Sequence, residues 1–427
     1  MYKYDEYLNS KVQRMSREEV REHQFKKLHS HLKYAYENCT YYRERFNSVA
    51  LEPKDITQIE DYYGIPFSTK NDLIENQRKA PPFGGLLGAN PDDLTRLYIA
   101  PGPIAIPFTN EDFDSFSKVF AKGLYLCGAR KQDIVNVTTT FHWVIAGDIL
   151  SEGFRKIGCA VIPGGAGMSR AHIEMMRLTG TTVIFAFTTF MEHLGDVANE
   201  MGIDPARDLS LRLLIIAGDI RKNETKEKLK DIFDAEVREI YASADLGIVA
   251  AECSEGGGMH ISEDYVVEII DPETGEHAPL DEGGEIATSE VCRKAMPIIR
   301  YRTGDITEGV NLEPCPCGRT SPRLKRILGR KSEIAKIKGM FVNPQDVDRV
   351  LRKYPELGRF QIIVDRPKQM DELTIKVEFS GVDNRDNLAS ILGSEVKDTI
   401  RLTPNILLVN PGNIPDTASV LVDKRRV

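Results

Sequence analysis

The sequence is short of the features that mark several classes of protein. It has one tryptophan and eight histidines in 427 residues, and acidic residues outnumber basic ones by 64 to 56. The net charge of −8 argues against a dedicated nucleic-acid-binding protein, which usually carries a basic face. No apolar run is long enough to cross a bilayer, and the polar first residues do not resemble a signal peptide. We therefore expect no membrane and no nucleic acid among its partners.

Cysteine is also scarce. The seven cysteines are an odd number, and they are widely spaced except for Cys315 and Cys317. A disulfide framework would need a denser, paired set, so the sequence favours a reduced, cytoplasmic protein.

The composition predicts a globular chain of more than one domain. Hydrophobic residues make up 41% of the chain and charged residues 28%, which allows a sizeable core. Residues 17–38 have the periodicity of an amphipathic helix, with Ser16 as its cap. Further on, short β-branched runs alternate with amphipathic stretches, which predicts βαβ units and a mostly parallel sheet. The predicted strands lie within residues 133–140, 159–165, 181–187, 211–218 and 236–243.

The pattern changes after residue 252. Residues 265–290 predict antiparallel hairpins with Asp-Pro and Gly-Gly turns, as in a β-rich subdomain. The C-terminal part predicts a hairpin, a helix and a further strand. The expected fold is α/β: a large N-terminal domain (1–328) with mostly parallel sheets and the β-rich subdomain, then a small, mobile α+β domain (329–427).

Four residues have the chemistry of a structural zinc site. Cys253 and His260 flank a Gly-Gly-Gly bend, and Cys315 and Cys317 form a Cys-x-Cys-Gly motif. Three thiolates and one imidazole make a closed tetrahedral set with no open position. The alternative is three buried thiols and a surface histidine, and we favour zinc because this Cys-x-Cys-Gly pattern is uncommon in protein cores.

Several collinear stretches carry a resemblance to one family. They are YYRERF (41–46), IPFSTKNDL (65–73), AGD (217–219), IYASADLG (240–247), MPIIRYRTGDI (296–306), CPCGRTSPRL (315–324), LGRKSEIAKIKGMFVNP (328–344) and VNPGNIP (409–415). Together they cover nearly the whole chain. In this order and at these spacings, the sequence resembles the phenylacetate–CoA ligase branch of the adenylate-forming enzymes.

The resemblance implies a reaction and its participants. Such enzymes join a small carboxylic acid, often aromatic, to ATP, hold an acyl-adenylate, and transfer the acyl group to coenzyme A as the small domain rotates. It thus implies ATP or AMP, magnesium and coenzyme A as cofactors, alongside the zinc, and a homodimer as the assembly. A carrier-protein thiol in place of coenzyme A stays open.

Site residues follow from the same resemblance. Asp305 corresponds to the ribose-binding aspartate, since one carboxylate suits two neighbouring hydroxyls. Asp245 corresponds to the magnesium-binding glutamate, Arg330 is a basic partner near the interdomain joint, and Tyr241 either stacks on adenine or is a core tyrosine. The remaining predicted nucleotide-binding residues are Ala217, Gly218, Asp219 and Ala242.

The acyl pocket is predicted from the ends of strands and from the resemblance, which implies that the loop of residues 141–143 lines the carboxylate. Its expected lining is Phe141, His142, Trp143, Ala186 and Phe187, although aromatic residues there are equally compatible with an ordinary core. His142 is a candidate catalytic contact to the substrate, and a structural histidine is the alternative.

The sequence departs from the family at three places. Where the family has a Ser/Thr/Gly-rich phosphate loop ending in Gly-Lys-Pro, this chain has residues 100–107, APGPIAIP, which have no hydroxyl or ammonium group. Its prolines have no N–H to donate to a phosphate. Val420 stands at the place of the C-terminal catalytic lysine, with Lys424 nearby, and Ser332 replaces the hinge aspartate.

These departures leave three functions open. The first is an acyl- or aryl-CoA ligase, with ATP use in doubt; the second is an ATP-independent acyltransferase between coenzyme A and another thiol or nucleophile. The third is a non-catalytic protein that binds acyl-CoA or a nucleotide. We rank the ligase first because of the family resemblance, although the transferase accounts better for the departures.

Overall fold

The computed structural model describes residues 10–218, 223–337, 340–367, 371–381 and 385–426. They divide into two compact units. The first comprises the described residues up to Thr303 and Thr307–Ile327, and the second comprises Gly304–Ile306 and the described residues from Leu328 onward.

The helices of the described residues are short to medium in length. They are α1 (Ser10–Gln13), α2 (Arg17–Asn38), α3 (Thr40–Ser48), α4 (Ile59–Tyr62), α5 (Lys70–Lys79), α6 (Asn110–Leu126), α7 (Ala146–Ile157), α8 (Ser169–Thr179), α9 (Thr188–Glu200), α10 (Pro205–Asp208), α11 (Asn223–Phe233), α12 (Pro344–Leu351) and α13 (Arg385–Ile400). Single 3-10 turns lie at Pro53–Asp55, Pro91–Asp93, Lys331–Glu333 and Lys424–Arg426.

Most strands of the first unit precede those of the second, and the strand Ile298–Thr307 contains residues of both units. The strands are numbered in chain order. They are β1 (Ser68–Thr69), β2 (Leu94–Ala100), β3 (Ile104–Thr109), β4 (Ile134–Val137), β5 (Ala160–Ile162), β6 (Val183–Phe187), β7 (Leu213–Ala217), β8 (Glu236–Ser243), β9 (Gly247–Glu252), β10 (Met259–Ile261), β11 (Tyr265–Ile270), β12 (Gly284–Glu290), β13 (Ile298–Thr307), β14 (Val310–Asn311), β15 (Arg323–Leu324), β16 (Ile327–Arg330), β17 (Ala335–Ile337), β18 (Met340–Val342), β19 (Leu357–Asp365), β20 (Glu372–Phe379), β21 (Asn405–Val409) and β22 (Leu421–Asp423).

The predicted first long helix is confirmed at both ends. α2 spans Arg17–Asn38, and Ser16 caps it. The Glu19 N–H donates to the Ser16 hydroxyl (3.2 Å), and the Ser16 N–H donates to the Glu19 carboxylate (2.7 Å), which completes a capping box. Val20, Leu28 and Leu32 are buried on one face of the helix, as its periodicity predicts.

A nine-stranded sheet organises the first unit, in the order β14-β15-β10-β9-β8-β7-β6-β4-β5. The half from β5 to β8 is parallel, and β8, β9 and β10 pair antiparallel. The predicted α/β fold with a parallel sheet is therefore confirmed, with an antiparallel extension on one side.

Alternation along the central strands separates two apolar cores. In β6, Val183 and Phe185 join one core, whereas Ile184 and Ala186 join the other. β7 alternates in the same way and is buried along its whole length. Layers of helices therefore cover both faces of the parallel half, and the loops at its edge are left to bind ligands.

The β-rich part of the first unit is a second sheet. Its strand order is β1-β13-β12-β11. β11 and β12 form the antiparallel hairpin predicted for residues 265–290. β1, only two residues long, pairs in parallel with β13, so that Ser68 lies opposite Tyr301.

The second unit contains a hairpin of β17 and β18 and a four-stranded sheet ordered β21-β20-β19-β22. Its own core draws on these strands and on α12 and α13. This is the small α+β arrangement that the C-terminal sequence predicts.

Limited proteolysis tests the predicted domain boundary. We expect cleavage near residues 331–338 to release fragments of about 37 and 11 kDa, since exposed joints between compact units are cut first. Trypsin at Lys331 or Lys336, and a glutamate-specific protease at Glu333, should give the same two fragments. First cuts inside residues 130–250 would contradict the two-domain organisation.

Candidate functional site

The carboxyl ends of β6 and β7 place several of the predicted residues together. Phe187 lies opposite Ala217 in the parallel ladder, and Gly218 follows with a φ of 91°. A Cβ at Gly218 would lie 3.1 Å from the Phe187 ring. Phe187 is 49% exposed at this edge, whereas Ala186 is fully buried in the core on the other face of the sheet. Ala186 and Phe187, both predicted to line the pocket, thus face opposite sides of the sheet, and Asp219 lies outside the described residues.

A tight hairpin between β8 and β9 carries the next group. Tyr241 lies opposite Ala250, and the register shifts between Tyr241 and Ala242, just before the turn that contains Asp245. The Arg293 guanidinium donates to the Asp245 carbonyl oxygen (2.6 Å), which anchors the turn. Tyr241 is 9% exposed and belongs to the main core, so most of its ring is packed against protein.

Arg293 is itself held inside the protein. It is 1% exposed, forms an ion pair with Glu290, and lies over the ring of Phe116 at 4.5 Å. Burial alone would lower the pKa of Arg293 and raise that of Glu290. Their mutual attraction outweighs burial, so the pKa of Arg293 is raised and that of Glu290 is lowered. Both groups therefore favour their charged forms, and in that form the Arg293 guanidinium donates to the hairpin.

The Asp245 carboxylate is buried and only partly satisfied. The Tyr301 hydroxyl donates to Oδ2 (3.1 Å), and the Lys70 ammonium lies 3.8 Å from the same oxygen. Oδ1 is buried and has no hydrogen-bond partner within the described part of the chain. A buried carboxylate oxygen without a donor is costly, and a cation or a ligand donor at Oδ1 would offset that cost.

The loop after β4 presents exposed aromatic side chains. Phe141 is 39% exposed and Trp143 78%, and His142 is also exposed. Trp143 has a φ of 62°, and its carbonyl oxygen accepts a hydrogen bond from the Ile99 N–H (2.8 Å). A bulky residue in this left-handed conformation is strained, and such strain is concentrated at ligand-binding sites.

The segment at the place of the phosphate loop is a tight turn. β2 and β3 pair up to Ala100 opposite Ile104, so only Pro101, Gly102 and Pro103 connect them. A Cβ at Gly102 would lie 3.0 Å from Ile74 of α5, so the turn packs against that helix. This turn has neither the length nor the N–H groups to surround a chain of phosphates.

The second unit contains the other predicted nucleotide-binding residues. Asp305 and Arg330 form an ion pair, with Nε to Oδ1 at 2.8 Å. The Lys424 ammonium lies 3.5 Å from Asp365, and Val420 is 45% exposed.

The four predicted zinc ligands come together in the first unit. The Cys253 and Cys315 sulfurs are 3.7 Å apart, the Cys317 sulfur is 3.4 Å from His260 Nε2, and all four ligand atoms lie within 4.8 Å of one another. All seven cysteines lie within the described residues, and none forms a disulfide.

The surroundings of the cluster orient its histidine. His260 Nδ1 lies 3.1 Å from the Ser321 carbonyl oxygen, which can only accept a hydrogen bond. This fixes the proton on Nδ1 and turns the Nε2 lone pair towards the sulfurs. A hydrogen bond from Cys253 lowers the pKa of the Cys317 thiol and raises that of Cys253 itself. At least one thiolate is therefore favoured.

Comparison with known proteins identifies the family. The chain is 30% identical over 383 residues to the phenylacetate–coenzyme A ligase of Pseudomonas putida, covering 88% of this chain and 85% of that one. The chain belongs to the phenylacetate–coenzyme A ligase family. The Thermus thermophilus ligase is 28% identical over 431 residues, with 95% of each chain covered, and residues 339–425 match the AMP-binding enzyme C-terminal domain.

A solved structure shows the same fold. An open conformation of 2-hydroxyisobutyryl-CoA ligase, in complex with 2-HIB-AMP and CoA, superposes with a TM-score of 0.89 at 23% identity. The match covers 99% of this chain and 95% of that one. The adenylate-forming fold expected from the sequence is therefore confirmed. No helix in the described ranges is both long and apolar enough to cross a membrane.

Sequence reasoning missed three residues around Asp245. Lys70 and Tyr301 contact its carboxylate, and Arg293 anchors its backbone. Lys70 and Tyr301 both lie within stretches that carry the family resemblance. Their presence in those stretches was the available sequence signal that they belong to the site. Sequence spacing alone could not show that they meet at one carboxylate.

Proposed function

We propose that this member of the phenylacetate–coenzyme A ligase family joins a small carboxylic acid to coenzyme A by way of an acyl-adenylate. The observation that carries the proposal is the 30% identity to a phenylacetate–coenzyme A ligase over 88% of the chain. The buried, partly satisfied Asp245 at the edge of the sheet supports it, because ligands of such sheets bind at the carboxyl ends of the strands and a bound cation would satisfy this carboxylate.

A product assay tests this function. Purified protein with ATP, magnesium, coenzyme A and a panel of aromatic and small aliphatic acids should release AMP and form a thioester, each detected by mass spectrometry. Both products should depend on the acid. If no acid yields AMP and thioester together, the proposal is wrong.

The relatives give no support to ATP-independent transfer or to a non-catalytic role, since the Pseudomonas putida and Thermus thermophilus proteins are both named as ligases. A second assay, without ATP, tests the transferase alternative. Incubating acyl-CoA with a second thiol, without ATP, should transfer no acyl group beyond the uncatalysed rate.

We assign the following roles within this function. Asp305 would accept hydrogen bonds from the two ribose hydroxyls, with Arg330 as its basic partner. Tyr241 would contact the adenine together with Ala217, Gly218, Asp219 and Ala242. Phe141, His142, Trp143 and Phe187 would border the acyl group, and exposed aromatic side chains favour a flat or apolar acid. The small second domain would be mobile, and Lys424, with His142, remains a candidate catalytic residue.

Magnesium fits the residues at Asp245. Magnesium prefers carboxylate oxygen, and the buried Oδ1 has no donor among the described residues. Asp245 would hold the ion, which neutralises phosphate charge when bound. A homodimer, a carrier-protein partner and a cytoplasmic location remain predictions, of which light scattering in solution tests the first.

Zinc fits the Cys/His cluster by its geometry. Sulfur ligands about 2.3 Å from a tetrahedral zinc ion lie about 3.8 Å apart, and the Cys253 and Cys315 sulfurs are 3.7 Å apart. We assign the cluster a structural role, because four protein ligands leave no open position.

The short turn between β2 and β3 predicts weak selection for ATP over AMP. Because Pro101, Gly102 and Pro103 offer few hydrogen-bond donors, the β- and γ-phosphates of ATP add little to its binding free energy. An intact loop would add several charge-assisted hydrogen bonds, each worth about 1.5–3 kcal/mol. Isothermal titration without magnesium should give dissociation constants for ATP and AMP within about threefold of each other, since a tenfold gap corresponds to about 1.4 kcal/mol. A preference for ATP of a hundredfold would contradict this reading of the turn.

A further inference from the structure

The position of Lys70 is fixed by the secondary structure around it. It is the first residue of α5, whose cap Thr69 accepts a hydrogen bond from the Asp72 N–H (3.2 Å). The preceding strand β1 pairs in parallel with β13, and Thr69 lies opposite Arg302, one residue beyond Tyr301. Lys70, directly after β1, and Tyr301, on the adjacent strand β13, therefore both approach the Asp245 carboxylate.

The contact between Lys70 and Asp245 leaves both groups only partly satisfied. The ammonium lies 3.8 Å from Oδ2, longer than a direct hydrogen bond, and the Lys70 side chain is 39% exposed. The carboxylate is 8% exposed, with Oδ1 lacking a partner among the residues that the structure describes. Lysine has three donors, so Lys70 can still donate to an anion in front of Asp245.

The same helix packs against the shortened turn. Ile74, four residues after Lys70, is the side chain that a Cβ at Gly102 would meet at 3.0 Å. The Gln77 side chain donates to the Ala105 carbonyl oxygen (2.8 Å) and accepts from the Ala105 N–H (2.7 Å). Residues four apart lie on one face of a helix. Lys70 is thus one helical turn from the contact with Gly102, at the place where a phosphate loop would stand.

We propose that Lys70 binds the phosphoryl group of the nucleotide at the Asp245 site and so supplies the positive charge that the shortened turn lacks. The inference rests on the proposed function and adds a residue to it. In adenylation, a carboxylate oxygen of the acid forms a bond to the α-phosphorus as the bond from that phosphorus to the β-phosphate bridging oxygen breaks, and pyrophosphate leaves with that electron pair. No proton is transferred in this step. The hydrogen bonds of Lys70 stabilise the charge on the α-phosphoryl oxygens.

The test compares a nucleotide with its nucleoside. AMP and adenosine share base and ribose, so the ratio of their affinities isolates the phosphoryl contact. Titrations in buffer without magnesium should show AMP binding about tenfold or more tightly than adenosine to the unaltered protein, as one charge-assisted contact provides. In Lys70→Gln this ratio should fall to within about twofold, with adenosine affinity unchanged. Lys70→Arg should restore most of it.

Lys79→Gln is the matched control. It removes a lysine from the other end of α5, where the side chain is 75% exposed and lies 3.9 Å from Glu75. Its AMP-to-adenosine ratio should equal that of the unaltered protein. If Lys70→Gln keeps the preference for AMP, or if the unaltered protein has none, the inference about Lys70 is wrong while nucleotide binding stands. If neither compound binds to any of the proteins, the proposed function itself fails.

Discussion

Replacing Cys315 with serine should release one zinc ion per chain and lower the thermal unfolding temperature by about 5 °C or more. Structural zinc contributes its binding free energy to folding, and this amounts to about 10–16 kcal/mol in small zinc-binding peptides. Even a loss of roughly 2 kcal/mol in the free energy of unfolding shifts the melting temperature by several degrees in a domain of this size. Metal analysis of protein purified without chelators, and a thermal melt, measure the two effects.

Cys159→Ser is the control for this prediction. Cys159 is also buried, but it lies outside the cluster, and its thiol donates to the Arg130 carbonyl oxygen (3.2 Å), which a hydroxyl can also do. This variant should keep its zinc. Unaltered protein without stoichiometric zinc, or Cys315→Ser that retains it, would contradict the assignment.

Local signals account for the parts of the fold that the sequence predicts well. α2 has an apolar face and a Ser/Glu capping box within four residues, so its ends could be read directly. The hairpin of β11 and β12 is marked by the Asp-Pro and Gly-Gly turn residues between its two strands. The parallel strands β4 to β8 are short apolar runs between helices, and that pattern has few other interpretations.

The candidate site depends on contacts that sequence spacing does not encode. Lys70 reaches Asp245 because a two-residue strand pairs with β13, far along the chain, and so short a strand gives no periodic signal. Ala186 shows the opposite case. Strict alternation along β6 already requires Ala186 and its neighbour Phe187 to face opposite sides of the sheet, so only one of them could line a pocket.

Asp305→Ala should weaken binding of both AMP and adenosine by about a hundredfold or more. The carboxylate would accept hydrogen bonds from two ribose hydroxyls, each worth about 1.5–3 kcal/mol because the acceptor is charged. The loss should be equal for nucleotide and nucleoside, since the ribose is common to both. Folding should change little, because the Arg330 side chain of the ion pair is 52% exposed and can be solvated when its partner is removed.

Two comparisons make this result specific. Glu308→Gln removes an exposed carboxylate three residues away that pairs with Arg326, and it should leave both affinities unchanged. Lys70→Gln should lower AMP affinity alone, whereas Asp305→Ala should lower both affinities and leave their ratio intact. If Asp305→Ala binds adenosine as tightly as the unaltered protein does, the ribose lies elsewhere, and the Asp305–Arg330 pair has a structural role only.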